Sequence, residues 1–207
     1  AATWFPISWV IYSVYLSEKI GYWRYILMDR HLKANPGEAF APLFDFFEPW
    51  CQDENRHGDC FTVMIRCWPG ITKGFRGKLL SRFFLWSVFL THTLTVCERG
   101  DFYKLLGIEP REFDEEVITS TNNTASNAFP WVYDFEDGKF LELRNLIIDS
   151  FRHFMEAKGL KKPVKFMKFV SLIFRQFALP MKETNAIRYE RSNVFTGQDI
   201  FNFWLDK

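Results

Sequence analysis

Glu54 and His57 are three residues apart in the segment Asp53-Glu54-Asn55-Arg56-His57-Gly58-Asp59. On a helix this spacing projects a carboxylate and an imidazole from one face, one turn apart, where they can hold a metal ion between them. Bundle proteins that hold two irons take such a Glu-x-x-His from each of two helices and a single Glu from each of the other two. Glu18 is the natural single carboxylate here, since it lies mid-helix on the preceding element. Glu18, Glu54 and His57 therefore read as half of a carboxylate-bridged di-iron site.

A lone Glu-x-x-His arises often by chance, so the surroundings matter. The charged cluster is flanked by Phe46, Phe47, Trp50 and Phe61, and Glu18 sits between Tyr15-Leu16 and Ile20-Gly21-Tyr22-Trp23. Charges at such junctions need partners or a metal, because burying them unpaired is costly. The simpler alternative is a structural pair of Glu18 with Lys19 or Arg56. Asp53, Arg56 and Asp59 are candidates to support the ligands from behind, a carboxylate orienting the imidazole and Arg56 offsetting the acids. Their alternative is a solvated helix face. A second Glu-x-x-His is absent: His31, His92 and His153 follow Met28, Phe89 and Ser150 at that spacing. His92, inside the uncharged run Phe83–Val96, reads either as a metal ligand or as a hydrogen-bonded core histidine.

The elements that must carry these residues are helical. We expect a helix over Pro6–Lys33, closed by Asn35-Pro36-Gly37. A second is expected over Pro42–Trp68, bent at Pro49 one turn before the motif. A third runs over Lys73–Leu106 and a fourth from Pro110 to Phe129-Pro130. After a loop at Trp131–Gly138, two more follow over Lys139–Ala157 and Pro163–Leu179. Strand patterns and fixed-period repeats are absent. The fold expected is all-α: an incomplete helical bundle over residues 1–135, with accessory amphipathic helices and a tail over residues 136–207, in one domain.

Composition limits the partners. The chain of 207 residues carries 26 basic and 25 acidic side chains, a balance that provides no field to draw it to nucleic acid. Cys51, Cys60, Cys67 and Cys97 lack CxxC spacing and read as buried free thiols of a reducing compartment. The 24 Phe, 8 Trp and 7 Tyr exceed what an ordinary core requires and must face something flat or greasy. The run Phe83–Val96 is shorter than the ~20 residues of a membrane-crossing helix, so none is expected. The helix after Pro163 carries a Phe stripe that includes Phe166, Phe169 and Phe174, with Lys161, Lys165 and Lys168 on other faces. It reads as an interfacial anchor on an anionic membrane or as an ordinary bundle helix with a basic face. The tail, with Phe195, Ile200, Phe201, Phe203 and Trp204, is too apolar for a disordered end and is expected to pack on the domain or a partner. The chain opens without an initiator Met and directly into Trp4-Phe5-Pro6-Ile7-Ser8-Trp9, which leads us to expect a piece beginning within a domain.

These residues resemble the aerobic (oxidative) magnesium-protoporphyrin IX monomethyl ester cyclases, a ferritin-like di-iron family. The resemblance rests on Tyr15-Leu16-Ser17-Glu18-Lys19-Ile20-Gly21-Tyr22-Trp23-Arg24-Tyr25, on Arg30-His31-Leu32 and on Trp50 to Asp59. It continues through Ser81-Arg82-Phe83-Phe84, Phe102-Tyr103, Thr121-Asn122 and Phe129-Pro130, and weakens after about Phe140. It implies Glu18, Glu54 and His57 as iron ligands of a two-iron centre whose other ligands lie upstream of residue 1. It also implies oxygen- and reductant-dependent oxidation of the porphyrin's methyl propionate, through hydroxy and keto intermediates, and closure of the fifth ring to divinylprotochlorophyllide. The implied partners are the magnesium porphyrin, an electron donor such as ferredoxin or an NADPH-linked reductase, room for an accessory cyclase subunit, and a membrane surface. The implied location is peripheral on a photosynthetic membrane, chromatophore, plasma membrane or thylakoid, on its cytosolic or stromal side. Trp9, Tyr12, Tyr22, Trp23 and Arg24 lie near Glu18 and read as porphyrin wall or as core packing. The competing reading is a cyclase-derived, non-catalytic subunit that binds pigment or protein on the same scaffold.

Overall fold

The computed structural model describes residues 4–186, so the expected packing of the tail Arg188 to Lys207 lies outside the described residues. Seven helices form among them: α1 (Ile7–Ala34), α2 (Phe47–Cys67), α3 (Gly74–Glu98), α4 (Gly100–Leu105), α5 (Pro110–Ala125), α6 (Lys139–Glu156) and α7 (Lys161–Phe177). The all-α expectation holds.

α1 starts at Pro6, whose extended ψ and fixed φ suit the residue before the first turn. It ends where Asn35 donates both its backbone N–H and its side-chain amide to the His31 carbonyl, ahead of Pro36. α1 and α2 run antiparallel: the Tyr12 hydroxyl meets the Ile71 carbonyl beyond the end of α2, Glu18 meets His57, Tyr25 meets Trp50, and Lys33 meets Glu48 near its start. The core behind this pair is aromatic. Tyr12 lies 4.8 Å from Phe129 and 5.5 Å from Phe84 between ring centroids, and Tyr15 lies 5.1 Å from Phe129. Such ring pairs contribute about 0.5–1.5 kcal/mol each beyond their burial. Tyr12 is thus core rather than pocket wall, and part of the aromatic surplus is used there.

Several boundaries depart from expectation. Pro49 does not bend α2. The segment Pro42–Phe46 winds as a 3-10 helix and α2 begins at Phe47, which leaves Pro49 in the first turn where its missing N–H has no intrahelical acceptor to lose. The third helix breaks at Arg99 into α3 and α4. The expected loop at Trp131 holds a strand, β1 (Trp131–Tyr133), paired antiparallel with β2 (Met181–Glu183) in the register Trp131 to Glu183 and Tyr133 to Met181. So short a ribbon shows little alternation and is stabilised by long-range pairing that local pattern does not encode.

The uncharged run reads short, yet α3, which holds it, is long and apolar enough to cross a membrane by length and composition alone. In the fold α3 packs against α1, α5, α6 and β1. Within it His92 is buried in the core: Nδ1 donates to Asp114 at 2.7 Å, and the same carboxylate accepts from Thr93 at 2.8 Å and from Arg144 at 2.9 Å. These groups are buried and join α3, α5 and α6 by paired polar contacts. α6 and α7 form a second, smaller apolar contact through Leu143, Ile147, Phe169 and Leu172.

Candidate metal centre

Glu18 from the middle of α1 meets Glu54 and His57 from α2. One ligand atom from each of the three lies within 4.8 Å of the other two, and His57 Nδ1 is 3.2 Å from Glu18 Oε2. Among the described residues this is the one convergent group of metal-ligating side chains. The antiparallel pairing of α1 and α2 creates it, since Glu18 on α1 is distant in sequence from Glu54 and His57 on α2.

The electrostatics favour a cation. Partial burial, then a hydrogen bond to Glu18 and the Glu18 charge, push the Glu54 carboxyl up to about 7, against the opposing pull of His57 and Arg24. Two carboxylates this close share a proton that a cation can replace. The donors, two carboxylates and an imidazole, suit iron in either oxidation state. They make one Glu and one Glu-x-x-His, half the set of a two-iron bundle site. The group also faces outward: the His57 side chain is 63% exposed, Trp50, Val63 and Met64 are exposed on the same helix, and Phe46 is exposed just before it.

The residues expected to support the ligands do other things. Arg56 pairs with Asp53 at 3.3 Å on an exposed face of α2, away from Glu18, so the solvated-face alternative describes both. Asp59 bonds Lys19 at 2.6 Å instead of orienting His57. Glu18 pairs with neither Lys19 nor Arg56. Trp23 donates from its indole to Thr124 at 2.8 Å and ties α1 to α5.

Three features were not anticipated. Lys19, next to Glu18, is buried, and its ammonium donates to Asp59 and to the Asn55 side chain at 3.0 Å. Gly21 leaves space for the Glu54 carboxyl, because a Cβ there would stand 3.3 Å from both its Cδ and Oε2. Arg24 acts on Glu54 through its charge. A signal for Lys19 was present: it is a lysine in the nearly uncharged half of α1, facing an Asn and an Asp spaced i,i+4 on α2.

The expected membrane face of α7 is also altered. Phe169 is buried, with its ring 5.5 Å from that of Phe151 on α6, and is not free to touch lipid. Phe166 lies 5.4 Å from Phe154 and stays partly exposed, whereas Phe174 is exposed. Lys161 and Lys168 are exposed and Lys165 is half-buried. The four cysteines are free, but Cys51 alone is buried and Cys60 is exposed.

A family model described as Rubrerythrin matches residues 1–65, the span that holds Glu18, Glu54 and His57, which supports iron as the metal such a group would bind. The chain is 74% identical over 189 residues to a magnesium-protoporphyrin IX monomethyl ester [oxidative] cyclase of Prochlorococcus marinus (strain MIT 9211), covering 91% of this chain and 54% of that protein. It is 76% identical over the same shares to the protein of that name from strain MIT 9313. A cyclase 1 of Nostoc sp. (strain PCC 7120 / SAG 25.82 / UTEX 2576) is 50% identical over 83% of this chain and 48% of its own length. No solved structure matches. The chain spans about half the length of the curated relatives it matches. By sequence, the chain belongs to the family of the magnesium-protoporphyrin IX monomethyl ester oxidative cyclases.

Proposed function

We propose that this chain carries half of the di-iron centre of an oxygen-dependent oxidative cyclase acting on magnesium-protoporphyrin IX monomethyl ester and giving divinylprotochlorophyllide. The observation that carries the reading is the convergence of Glu18, Glu54 and His57 within 4.8 Å on a chain 74% identical to a protein named for that reaction. Glu18 and Glu54 would provide oxygen donors and His57 a nitrogen donor. When bound, the two irons supply the oxygen-dependent oxidation of the methyl propionate side chain, with electrons from an external donor such as ferredoxin or an NADPH-linked reductase.

This chain's own part is to hold the donors and their protons. Glu54 keeps a proton near neutral pH in the metal-free site and releases it when a cation takes its place. Gly21 leaves the Glu54 carboxyl room to lie against α1. The second Glu and Glu-x-x-His would come from polypeptide outside residues 1–207, packed on the outward face of α1 and α2, where exposed Phe46, Trp50, Val63 and Met64 offer apolar surface.

Iron analysis and turnover test this directly. The full-length protein should hold two irons and convert the porphyrin ester with oxygen and reductant, while Glu54→Ala and His57→Ala should lose iron and conversion together. Undiminished turnover in either variant would sink the proposal. A full-length protein that binds the porphyrin without converting it would favour the non-catalytic subunit.

We further propose that the protein rests on the surface of a photosynthetic membrane through α7. That helix carries Lys161, Lys162, Lys165, Lys168 and Arg175 and no acidic residue. With Phe169 and Leu172 turned to α6, its outer side shows Leu160 at 93%, Val164 at 69%, Met167 at 66% and Phe174 at 67% exposure. An apolar stripe beside a basic ridge suits an interface of acyl chains and anionic head groups.

A further inference from the structure

Glu18 and Lys19 are consecutive on α1 and address adjacent faces of α2. Glu18 meets Glu54 and His57, while Lys19 meets Asn55, Gly58 and Asp59, the residues interleaved with those ligands. The Lys19 side chain is 4% exposed, although the Asp59 carboxylate it reaches at 2.6 Å is 65% exposed. The ammonium also donates to the Asn55 side-chain oxygen at 3.0 Å. Its methylene stem crosses α2 directly over Gly58: a Cβ on Gly58 would stand 2.5 Å from Lys19 Cε and 2.7 Å from Cδ. No residue larger than glycine fits beneath that stem unless the lysine moves.

A long amphipathic side chain laid across a glycine and bonded beyond it resists both sliding and rotation of one helix against the other. A shift of one residue in either helix would remove the ammonium from its acceptors on Asn55 and Asp59 and carry Glu18 off the Glu54/His57 face. We propose that Lys19 is a positioning residue of the metal centre, a clasp that with Asn55, Gly58 and Asp59 holds α1 and α2 in the register that brings Glu18 to Glu54 and His57. The clasp rests on the metal reading above. It acts through geometry, because the charges that bear on Glu54 come from Glu18, His57 and Arg24. Residues that orient metal ligands without touching the metal typically change metal affinity 10–100-fold when lost.

The test is a cobalt(II) titration of the full-length protein, read by visible absorption, whose band positions report ligand geometry, and by far-UV circular dichroism. Lys19→Met should weaken cobalt binding about tenfold and move the bands while leaving the helical signal unchanged. Gly58→Ala should do the same in the natural background, by displacing the lysine stem, and should add nothing in a Lys19→Ala background. Unchanged affinity and bands in Lys19→Met would overturn the clasp, as would an equal loss from Gly58→Ala in both backgrounds. Should Lys19→Met fail to fold, Asp59→Asn changes only the surface end of the clasp. A smaller shift in the same direction supports the clasp, and unchanged bands refute it. A natural protein that takes up no cobalt overturns the metal reading, and the clasp falls with it. Cobalt binding that Lys19→Met leaves intact overturns the clasp alone.

Discussion

Glu54 differs from an ordinary surface glutamate because burial and the neighbouring Glu18 both disfavour its charge, raising it from the usual carboxylate range to about 7. The folded metal-free protein therefore holds a proton between about pH 4.5 and 7 that the unfolded chain has released. Stability falls with pH wherever the folded state binds more protons, so this group weakens the fold as pH rises through that window. Urea midpoints of the metal-free protein should drop from pH 5 to pH 7.5, and drop less in Glu54→Gln. Equal slopes in the two proteins would show that the proton is not on Glu54. At this scale the sequence revealed the ligand types and the three-residue spacing. It did not reveal that Asp59 serves Lys19, because Lys19 and Asp59 meet only across the α1/α2 contact.

Among the described residues a buried polar network and a short ribbon are two of the joins between elements. Asp114 and Arg144 have side chains only 1% and 2% exposed, and with His92 and Thr93 they join α3, α5 and α6. Removing one partner of a buried pair leaves the other charge uncompensated, at a cost of about 3–5 kcal/mol. Asp114→Ala should lower unfolding stability by that order, measured by denaturant titration, whereas Asp53→Ala, in an exposed pair, should cost less than about 1 kcal/mol. Similar losses in both would mean that the network is not holding the helices. The helix positions were legible because Pro6, Asn35-Pro36-Gly37, Pro69-Gly70 and Pro110 punctuate the chain. The break at Arg99 and the β1/β2 ribbon were not legible. The break has no proline within α3 or α4, and the ribbon joins segments about fifty residues apart.

The whole molecule presents two unlike surfaces, the ligand face of α1 and α2 and the apolar, basic outer side of α7. If α7 rests on anionic lipid, Lys161→Glu, Lys165→Glu and Lys168→Glu together should abolish co-sedimentation with anionic vesicles. Met167→Ser with Phe174→Ser should weaken it even at low salt, and Phe169→Leu, a core change, should leave it intact. Unchanged co-sedimentation in the lysine variant would remove α7 from the interface. The sequence showed that α7 is Phe-rich and basic, with Phe166 and Phe174 exposed as expected, but it counted Phe169, which packs on α6, in the same stripe. Apolar residues occupy nearly its whole circumference, so periodicity alone cannot say which stripe α6 covers.

What the sequence determined by itself was therefore local and chemical: six of the eight bounds of α1, α2, α5 and α6 to within one residue, and the set Glu18, Glu54 and His57. Spacing on one helix and the position of helix breakers are properties of neighbouring residues, and a chain states them directly. The tertiary structure alone decided that Lys19 pairs with Asn55 and Asp59 beside that set, that His92 lies in the core, and that Phe169 faces inward. Those outcomes depend on which faces of distant helices meet, and a buried lysine or phenylalanine carries no mark in the sequence of the partner that packing brings to it.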